Sequence, residues 1–355
     1  MLEWRPLIVS AQINQGADLT PSDLGQRLVV SATTSLCESC FVTGATGVVG
    51  LALCRALLGS GASVRAAYRR SDGVPRLPPE VTPVAIRSIG PDSQWKEALN
   101  GVDTVLHLAA RVHIMKDSAA DPLVAFRAMN TLGTENLARQ AAAAGVRRFV
   151  FVSSVKVNGE STPSDAGFTE ADPHRPRDPY GISKSEAELA LQRVSRETGL
   201  EVVIVRPPLV YGPCVKGNFL SVLKVLRRGL PLPLASVVNR RSLVYLGNLV
   251  DALILCARHP AAANQTYLVS DGEDVSTPDL LRRLAQAMGV PARLLPVPEA
   301  LLRVGGSLAG RSKEMGRLLG SLVVDSSKIT RELGWKPPFS LNEGLQRTAD
   351  WFMGR

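Results

Sequence analysis

The stretch CFVTGATGVVG, residues 40–50, decides the fold class of this chain of 355 residues. It combines an apolar strand, a G-x-x-G-x-x-G turn and the start of a helix predicted over about 48–58. In such a unit the first two glycines let the backbone approach a diphosphate at the helix N-terminus, and the third lets the helix pack on the sheet. The unit predicts dinucleotide binding by Gly44, Thr46, Gly47, Val48 and Gly50.

Strands and helices alternate downstream of this unit. Strands are predicted at about 63–68, 81–86, 104–108 and 149–152, with a long helix at about 123–144. Alternating βαβ units imply a parallel sheet covered by helices on both faces. We therefore predict an α/β fold with a doubly wound parallel sheet, a Rossmann domain over residues 37–210. A smaller substrate-binding lobe follows over 211–355 and exchanges some strand or helix with the first domain.

The flanking segments are less regular. Residues 1–36 show weak periodicity, so we expect an extension with little fixed structure; a start codon placed too far upstream accounts for them equally well. Prolines break the pattern after residue 210 into shorter pieces. In the lobe we predict a short edge strand at 294–297, a helical segment at 300–319 whose apolar face packs within the lobe, and a closing helix at 341–353.

Composition and charge narrow the class of protein. No apolar run approaches the ~20 residues of a membrane span, and Glu3 and Arg5 do not suit a signal peptide, so we expect a cytoplasmic protein without membrane insertion. The net charge of +9 fits an anionic ligand. Scattered basic residues and 5% aromatic content argue against nucleic-acid binding. Only Cys37 and Cys40 are spaced C-x-x-C, so we predict no metal site, and a buried strand position for Cys40.

The end of the second predicted strand bears on the choice of dinucleotide. An acidic residue about 20 residues beyond the glycine loop would bind the adenosine ribose. Here the strand ends in Arg69 and Arg70, and the first carboxylate is Asp72. Two guanidinium groups can face a 2′-phosphate, so NADP(H) is favoured and NAD(H) stays an alternative. A pair of solvated surface arginines would explain the same residues.

Tyr180 and Lys184 form a Tyr-x-x-x-Lys pair on one face of a predicted helix. A positive charge beside a phenol favours the phenolate, and Lys184 can supply that charge. Such a pair suits proton transfer at a sugar hydroxyl while hydride moves to or from a nicotinamide. Upstream, Ser153 and Ser154 end a strand at the carboxyl edge of the sheet. Side chains alternate along a strand, so only one of these hydroxyls can face the cleft.

Further motifs accompany the glycine loop and the Tyr180 helix. They are HLAAR at 107–111, NTLGTENL at 130–137, FVSSVKVNGE at 151–160, DPYGISK at 178–184, RPPLVYGP at 206–213 and LGWKPP at 333–338. Together these residues resemble the extended short-chain dehydrogenase/reductase family of nucleotide-sugar epimerases, dehydratases and 4-ketoreductases. The resemblance covers nearly everything from Cys40 to the C-terminus.

The resemblance implies roles for individual residues. Ser154 would position the substrate hydroxyl, Tyr180 would be the acid/base, and Lys184 its electrostatic partner and a ligand of the nicotinamide ribose. Asn130 would order the site. The cofactor would be lined, mainly through backbone, by Leu108, Ala109 and Ala110.

The resemblance also implies a UDP-sugar substrate and a homodimer. Asn218 is similar to the family's asparagine near the nucleotide diphosphate, and Arg241 to its phosphate-binding arginine, with Arg240 as the adjacent alternative. Without the resemblance, helix capping and a solvated charge would explain Asn218 and Arg241. Asn158 departs from the family, which often has tyrosine there, and this weakens any transfer of sugar preference.

The sequence leaves several functions open. The run at 156–160 with that at 215–218 is most similar to a bacterial subgroup of the UDP-N-acetylquinovosamine dehydrogenase type, which reduces a 4-keto-6-deoxy sugar for surface polysaccharides. Reduction at C4 of a UDP-hexose is therefore the leading hypothesis, and a UDP-sugar 4-epimerase the alternative. A dehydratase would want an Asp-Glu pair where Val155 and Lys156 stand. A non-catalytic dinucleotide sensor would commonly lose Tyr180 or Lys184.

Overall fold

The structure is a computed structural model that describes residues 39–70, 77–112, 121–163, 166–310 and 312–355. The predicted extension at 1–36 and Asp72 lie outside these residues. The strands are β1 Ser39–Thr43, β2 Ser63–Arg69, β3 Thr82–Ile86, β4 Thr104–His107, β5 Arg148–Val152, β6 Glu201–Arg206, β7 Leu209–Tyr211, β8 Arg241–Tyr245, β9 Thr266–Leu268 and β10 Asp274–Val275. The α-helices are α1 Val48–Gly59, α2 Lys96–Leu99, α3 Pro122–Phe126, α4 Gly133–Ala143, α5 Pro179–Thr198, α6 Gly217–Arg227, α7 Leu246–Arg258, α8 Thr277–Met288, α9 Glu299–Leu308, α10 Ser312–Leu319, α11 Ser327–Leu333 and α12 Leu341–Met353.

A seven-stranded parallel sheet with the order β3-β2-β1-β4-β5-β6-β9 forms the centre of the molecule. The side chains of β1 alternate between its two faces: Cys40 and Val42 pack with α1 and α7, and Phe41 packs with α4 and α5. Both faces of the central strands are buried, which is why the interiors of β1, β4, β5 and β6 are apolar. The predicted doubly wound fold is confirmed.

Strand β9 comes from beyond residue 210 and pairs with β6, Val205 opposite Tyr267. The chain between these strands builds a second, three-stranded sheet with the order β10-β8-β7. The apolar cluster on the α1 face continues from Cys40 through this second sheet to Ala349 of α12. The C-terminal part therefore shares both a strand and a core with the dinucleotide-binding part.

Three predicted elements differ from the structure. The long helix at 123–144 is divided by a π-helical turn, Arg127–Leu132, between α3 and α4. The segment 294–297 makes no strand; only Leu294 forms an isolated bridge, to Leu232. Pro296 in this segment has no N–H group for a sheet hydrogen bond.

The helical segment predicted at 300–319 is two helices, α9 and α10. Leu302 and Gly306 of α9 are buried, but Leu301, Val304 and Leu308 are exposed, so the predicted packing of its apolar face is wrong for these three. Helix α12 agrees with the prediction.

Cys40 is fully buried in β1, as predicted. It is also disulfide-bonded, which differs from the expectation of a plain buried strand residue.

Candidate active site

The glycine loop joins β1 to α1 and packs against the chain that follows β4. Gly44 has φ +73°, and a Cβ atom there would lie 2.7 Å from the backbone nitrogen of Ala109. A Cβ atom at Gly50 would lie 2.2 Å from the carbonyl oxygen of Gly44. Helix α1 begins after Gly47 with no side-chain cap and no acidic residue in its first turn. Such a helix N-terminus offers backbone N–H groups and a positive dipole end, and this fits the diphosphate of a dinucleotide.

A buried histidine, His107, connects the strand that precedes this loop to the neighbouring strand and helix. His107 Nδ1 lies 2.6 Å from Thr43 Oγ1, and His107 Nε2 lies 2.9 Å from Thr134 Oγ1. Burial and, to a smaller extent, the charge of Lys184 together lower the pKa of His107 to about 3. The imidazole is therefore neutral at physiological pH and ties β1, β4 and α4 together. In the sequence His107 stands out only as part of the HLAAR motif, which gives no sign of this structural role.

Ser153 and Ser154 point in opposite directions at the end of β5. Ser153 is buried and its Oγ donates to Glu188 Oε1 at 2.5 Å. Ser154 is partly exposed and begins a short 3₁₀ helix, Val155–Val157, its Oγ accepting from the Lys156 backbone N–H at 3.3 Å. Ser154 is thus the more accessible of the two hydroxyls, and its role toward the substrate stays a prediction.

Behind Ser153 lies a buried ionic network. Glu188 accepts from Arg206 Nε at 3.0 Å and from Nη2 at 2.5 Å, and both side chains are almost fully buried. Arg206 also donates to Asn158 Oδ1 at 3.1 Å. Asn158, the departure from the family pattern, therefore belongs to this network. Its members hold the end of β5 against α5.

Helix α5 carries Tyr180 and Lys184 toward this edge of the sheet. Asp178 caps the helix by accepting from the Gly181 N–H at 2.7 Å, and Pro179 occupies its first turn. Tyr180 packs edge-on against Phe126 of α3, with ring centroids 6.3 Å apart. The buried Lys184 donates to the carbonyl oxygen of Val152 at 2.7 Å, and its Nζ lies 4.2 Å from the Phe151 ring centroid.

The electrostatics of this pair differ from the expectation. Burial raises the pKa of Tyr180, and the charge of Asp178 raises it further. Burial also lowers the pKa of Lys184 to about 7, against the opposing effect of Glu188. The amine of Lys184 donates to the end of β5, and the pKa of Tyr180 lies above its ordinary value in this structure.

Asn130 lies in the π-helical turn and is buried. Its Nδ2 donates to the carbonyl of Arg111 and to Ser183 Oγ, both at 3.0 Å, and its Oδ1 accepts from the Arg111 N–H at 2.7 Å. It joins the chain after Leu108, Ala109 and Ala110 to the helix of Tyr180. This position suits the ordering role that the resemblance implies.

Four charged groups with no role predicted from the sequence form a cluster at the start of α5, next to Tyr180 through Lys156 and Asp178. Lys156 pairs with Asp178 and lies 3.5 Å from Glu160. Arg317 of α10 lies 3.2 Å from Glu160 and 3.7 Å from Asp178. The Asp-Pro pair that begins α5 was the signal for Asp178, since Asp is a preferred helix cap before a first-turn proline.

The predicted phosphate ligands lie in two elements of the C-terminal part, β8 and α6. Arg241 begins β8 and donates to the carbonyls of Arg317 at 2.5 Å and Gly320 at 3.0 Å, whereas the exposed Arg240 pairs with Asp274 at 2.9 Å. Of the two, Arg241 lies next to the charged groups around Tyr180. Asn218 lies in the first turn of α6, and its side chain is outside what the structure describes.

Arg69 ends β2, and Arg70 follows it; both are exposed. The end of β2 is therefore exposed to solvent. The predicted preference for NADP(H) rests on these two arginines and stays a prediction.

The requirements of a metal site and of a membrane-spanning helix are not met by the described residues. No group of three or more His, Cys, Asp and Glu side chains among those residues is placed to hold a metal ion. No helix among them is long and apolar enough to cross a membrane.

A doubly wound sheet with this glycine loop and a Tyr-x-x-x-Lys helix at its carboxyl edge defines the class, the short-chain dehydrogenase/reductase type. A model of the NAD dependent epimerase/dehydratase family matches residues 40–270, and the chain belongs to that family. The predicted resemblance to nucleotide-sugar enzymes of the extended type is confirmed.

Individual relatives share most of their length with this chain. It is 44% identical to a UDP-glucose 4-epimerase of Vibrio cholerae over 89% of this chain and 96% of that protein. It is 28% identical to a dTDP-glucose 4,6-dehydratase of Streptomyces griseus over 88% and 93%. The crystal structure of a Thermus thermophilus UDP-glucose 4-epimerase in complex with NAD is similar with a TM-score of 0.69 and 26% identity, covering 89% of this chain and 99% of that one.

Proposed function

We propose that the protein is an NAD(H)-dependent 4-epimerase of a UDP-linked hexose. The observation that carries this proposal is the similarity to the Vibrio cholerae UDP-glucose 4-epimerase along nearly the whole of both chains. This similarity favours the 4-epimerase, which was the alternative hypothesis from the sequence, over the leading hypothesis of 4-keto-6-deoxy-sugar reduction. The site is consistent with it, because Tyr180 and Ser154 stand at the same sheet edge as the glycine loop.

Each site residue has a task in this proposal. Tyr180 takes the proton from the 4-hydroxyl of the sugar and later returns it, while Ser154 holds the C4 oxygen in place. When bound, the nicotinamide dinucleotide supplies a hydride acceptor and donor. Lys184 contacts the nicotinamide ribose, and Arg241 and Asn218 bind the diphosphate of the sugar nucleotide. The 4-keto sugar turns between the two proton transfers, so the configuration at C4 inverts.

The test is turnover of UDP-glucose and UDP-N-acetylglucosamine by the purified protein, followed by NMR of the sugar products. We expect interconversion of the C4 epimers without net use of dinucleotide, and a loss of about 10²–10⁴-fold in Tyr180→Phe. Tyr267→Phe removes a phenol hydroxyl on β9, away from the site, and is the matched control that keeps the rate. An unchanged rate in Tyr180→Phe, or no interconversion by the wild-type protein, would refute the proposal.

Reduction of a UDP-4-keto-6-deoxy sugar by NADPH is the second candidate, favoured by Arg69 and Arg70 at the end of β2. Incubation with UDP-4-keto-6-deoxy-N-acetylglucosamine and NADPH separates the two functions. A reductase oxidises one NADPH for each sugar reduced, whereas an epimerase shows no stoichiometric consumption. For a reductase, Arg69→Ser with Arg70→Ser should weaken NADPH use selectively over NADH use.

A further inference from the structure

Lys156 places a cation over the ring of Tyr180. The 3₁₀ turn that Ser154 begins carries Lys156 back toward the first turn of α5. The Nζ atom of Lys156 lies 6.0 Å from the centroid of the Tyr180 ring. A cation in this position attracts a phenolate more strongly than a neutral phenol.

The same amine is paired with the carboxylate that opposes ionisation of Tyr180. Lys156 Nζ contacts Asp178 Oδ2, while Asp178 Oδ1 caps α5 through the Gly181 N–H. The Asp178 charge raises the pKa of Tyr180 in addition to the larger effect of burial. A carboxylate matched by an adjacent ammonium acts less strongly on the phenol than an unmatched one.

Close packing fixes this arrangement. A Cβ atom at Gly181 would lie 3.0 Å from the carbonyl oxygen of Lys156, so α5 and the 3₁₀ turn touch through their backbones. The side chains of Lys156 and Asp178 are 23% and 14% exposed, which limits the screening of their interaction by water.

The other charged groups in this region are Glu160, Arg317 of α10, Arg111 in the chain after β4, and Lys184 of α5. Glu160 and Arg317 lie on the outer side of the Lys156–Asp178 pair, with Arg317 Nη2 3.7 Å from Asp178. Arg111 lies over the Phe126 ring of α3, 5.6 Å from its centroid, and Lys184 lies one turn further along α5. Lys156 both contacts Asp178 within hydrogen-bond distance and lies over the phenol ring.

We propose that Lys156 is a positioning residue for Tyr180, which balances the charge of Asp178 and so keeps the phenol able to release its proton. The proposal rests on the acid/base role proposed above for Tyr180. Its contacts do not depend on which sugar is bound. It can therefore be tested without substrate.

The experiment titrates residue 180 directly in the NAD-loaded protein. A fluorinated tyrosine at position 180 ionises at lower pH than tyrosine and reports its charge by ¹⁹F NMR. We expect Lys156→Met to raise the titration midpoint by about one pH unit, about tenfold less phenolate at a given pH. Lys156→Arg should restore the wild-type midpoint, and Glu160→Gln, which removes the other carboxylate beside Lys156, should move it much less.

The same comparison in a protein that carries Asp178→Asn tests the contribution of the Asp178 charge. Asn also caps helices, so Asp178→Asn removes the charge and keeps the cap. In this background Lys156→Met should shift the midpoint by less than half as much. Equal midpoints in the wild type and Lys156→Met, or the same shift with and without Asp178, would overturn the proposal. Lys156→Gln serves if Lys156→Met does not fold. Because no sugar is present, failure here is distinct from failure of the epimerase assignment.

Discussion

At the scale of single residues, the two serines at the end of β5 show how adjacent side chains take different tasks. Ser153 donates to the buried Glu188–Arg206 pair, and Ser154 is partly exposed and begins the 3₁₀ turn. The difference follows from strand alternation, because successive side chains leave opposite faces of the sheet. Substitution of each serine in turn can therefore separate an effect on stability from an effect on catalysis.

We expect Ser153→Ala to lower the free energy of unfolding by about 1–3 kcal/mol, because Glu188 loses a buried donor, while the rate changes little. Ser154→Ala should instead lower the rate by about 10²-fold, with a stability loss of about 1 kcal/mol or less. Urea unfolding and the epimerase assay measure both variants. The reverse pattern would contradict the assignment of Ser154.

The sequence predicted the residues of this site better than their contacts. The i,i+4 spacing placed Tyr180 and Lys184 on one helix face, and strand alternation reduced the serines to one. Which serine is buried depends on Glu188 and Arg206, which lie far along the chain. The direction of the Lys184 amine depends on where β5 presents the Val152 carbonyl. Local spacing carries no information on either.

At the scale of elements, the glycine loop determines how closely α1 approaches β1. We expect Gly50→Ala to destabilise the protein by about 2–3 kcal/mol and to weaken dinucleotide binding, because its Cβ would lie 2.2 Å from a backbone oxygen. Gly59→Ala, at the other end of the same helix, is the control. Nothing lies within 4 Å of its Cβ. It should be neutral or stabilise by up to about 1 kcal/mol. Equal stability of the two variants in urea unfolding would contradict this.

His107 joins three elements and makes their packing sensitive to acid. Its pKa is about 3 in the folded protein against an ordinary 6.5, so below pH 6.5 the unfolded chain binds a proton that the folded protein does not. We expect this to cost about 2 kcal/mol of stability between pH 7 and pH 5. Urea unfolding at both values should show that the stability advantage of the wild type over His107→Gln shrinks by that amount. A constant difference would show that His107 does not titrate this way.

The spacing of apolar residues did not predict the π-helical turn between α3 and α4. The alanine-rich segment has the apolar spacing of one long helix, and a turn of six residues, Arg127–Leu132, hardly changes that spacing. Such turns occur often at functional sites, and this one contains Asn130. The predicted helix was right in its extent and wrong in its continuity.

At the scale of the whole molecule, the lobe and the dinucleotide-binding part share a core. Trp95 and Trp335 are both buried, in the clusters on opposite faces of the sheet. We expect two single-tryptophan variants, keeping only Trp95 or only Trp335 of the four tryptophans, to show the same urea midpoint by fluorescence, because β9 and α7 make the two parts one cooperative unit. Two separate midpoints would show that the lobe unfolds on its own. The homodimer implied by the resemblance stays a prediction at this scale.

The sequence predicted the architecture at this scale because βαβ alternation is a repeated, local signal. It predicted an exchange between the two parts without identifying the strand. Thr266–Leu268 is only three residues long. It becomes a strand only because the outer edge of β6 is available to it.

The pairing of β9 with β6 also concerns the growing chain on the ribosome. About 60 residues separate Arg206 from Thr266, and at synthesis rates of about 5–20 residues per second they take roughly 3–12 s to make. During that interval the outer edge of β6 presents unpaired backbone groups, a surface on which chains readily aggregate. Codons that slow translation between these strands should therefore lower the yield of soluble enzyme, even though they leave the finished protein unchanged.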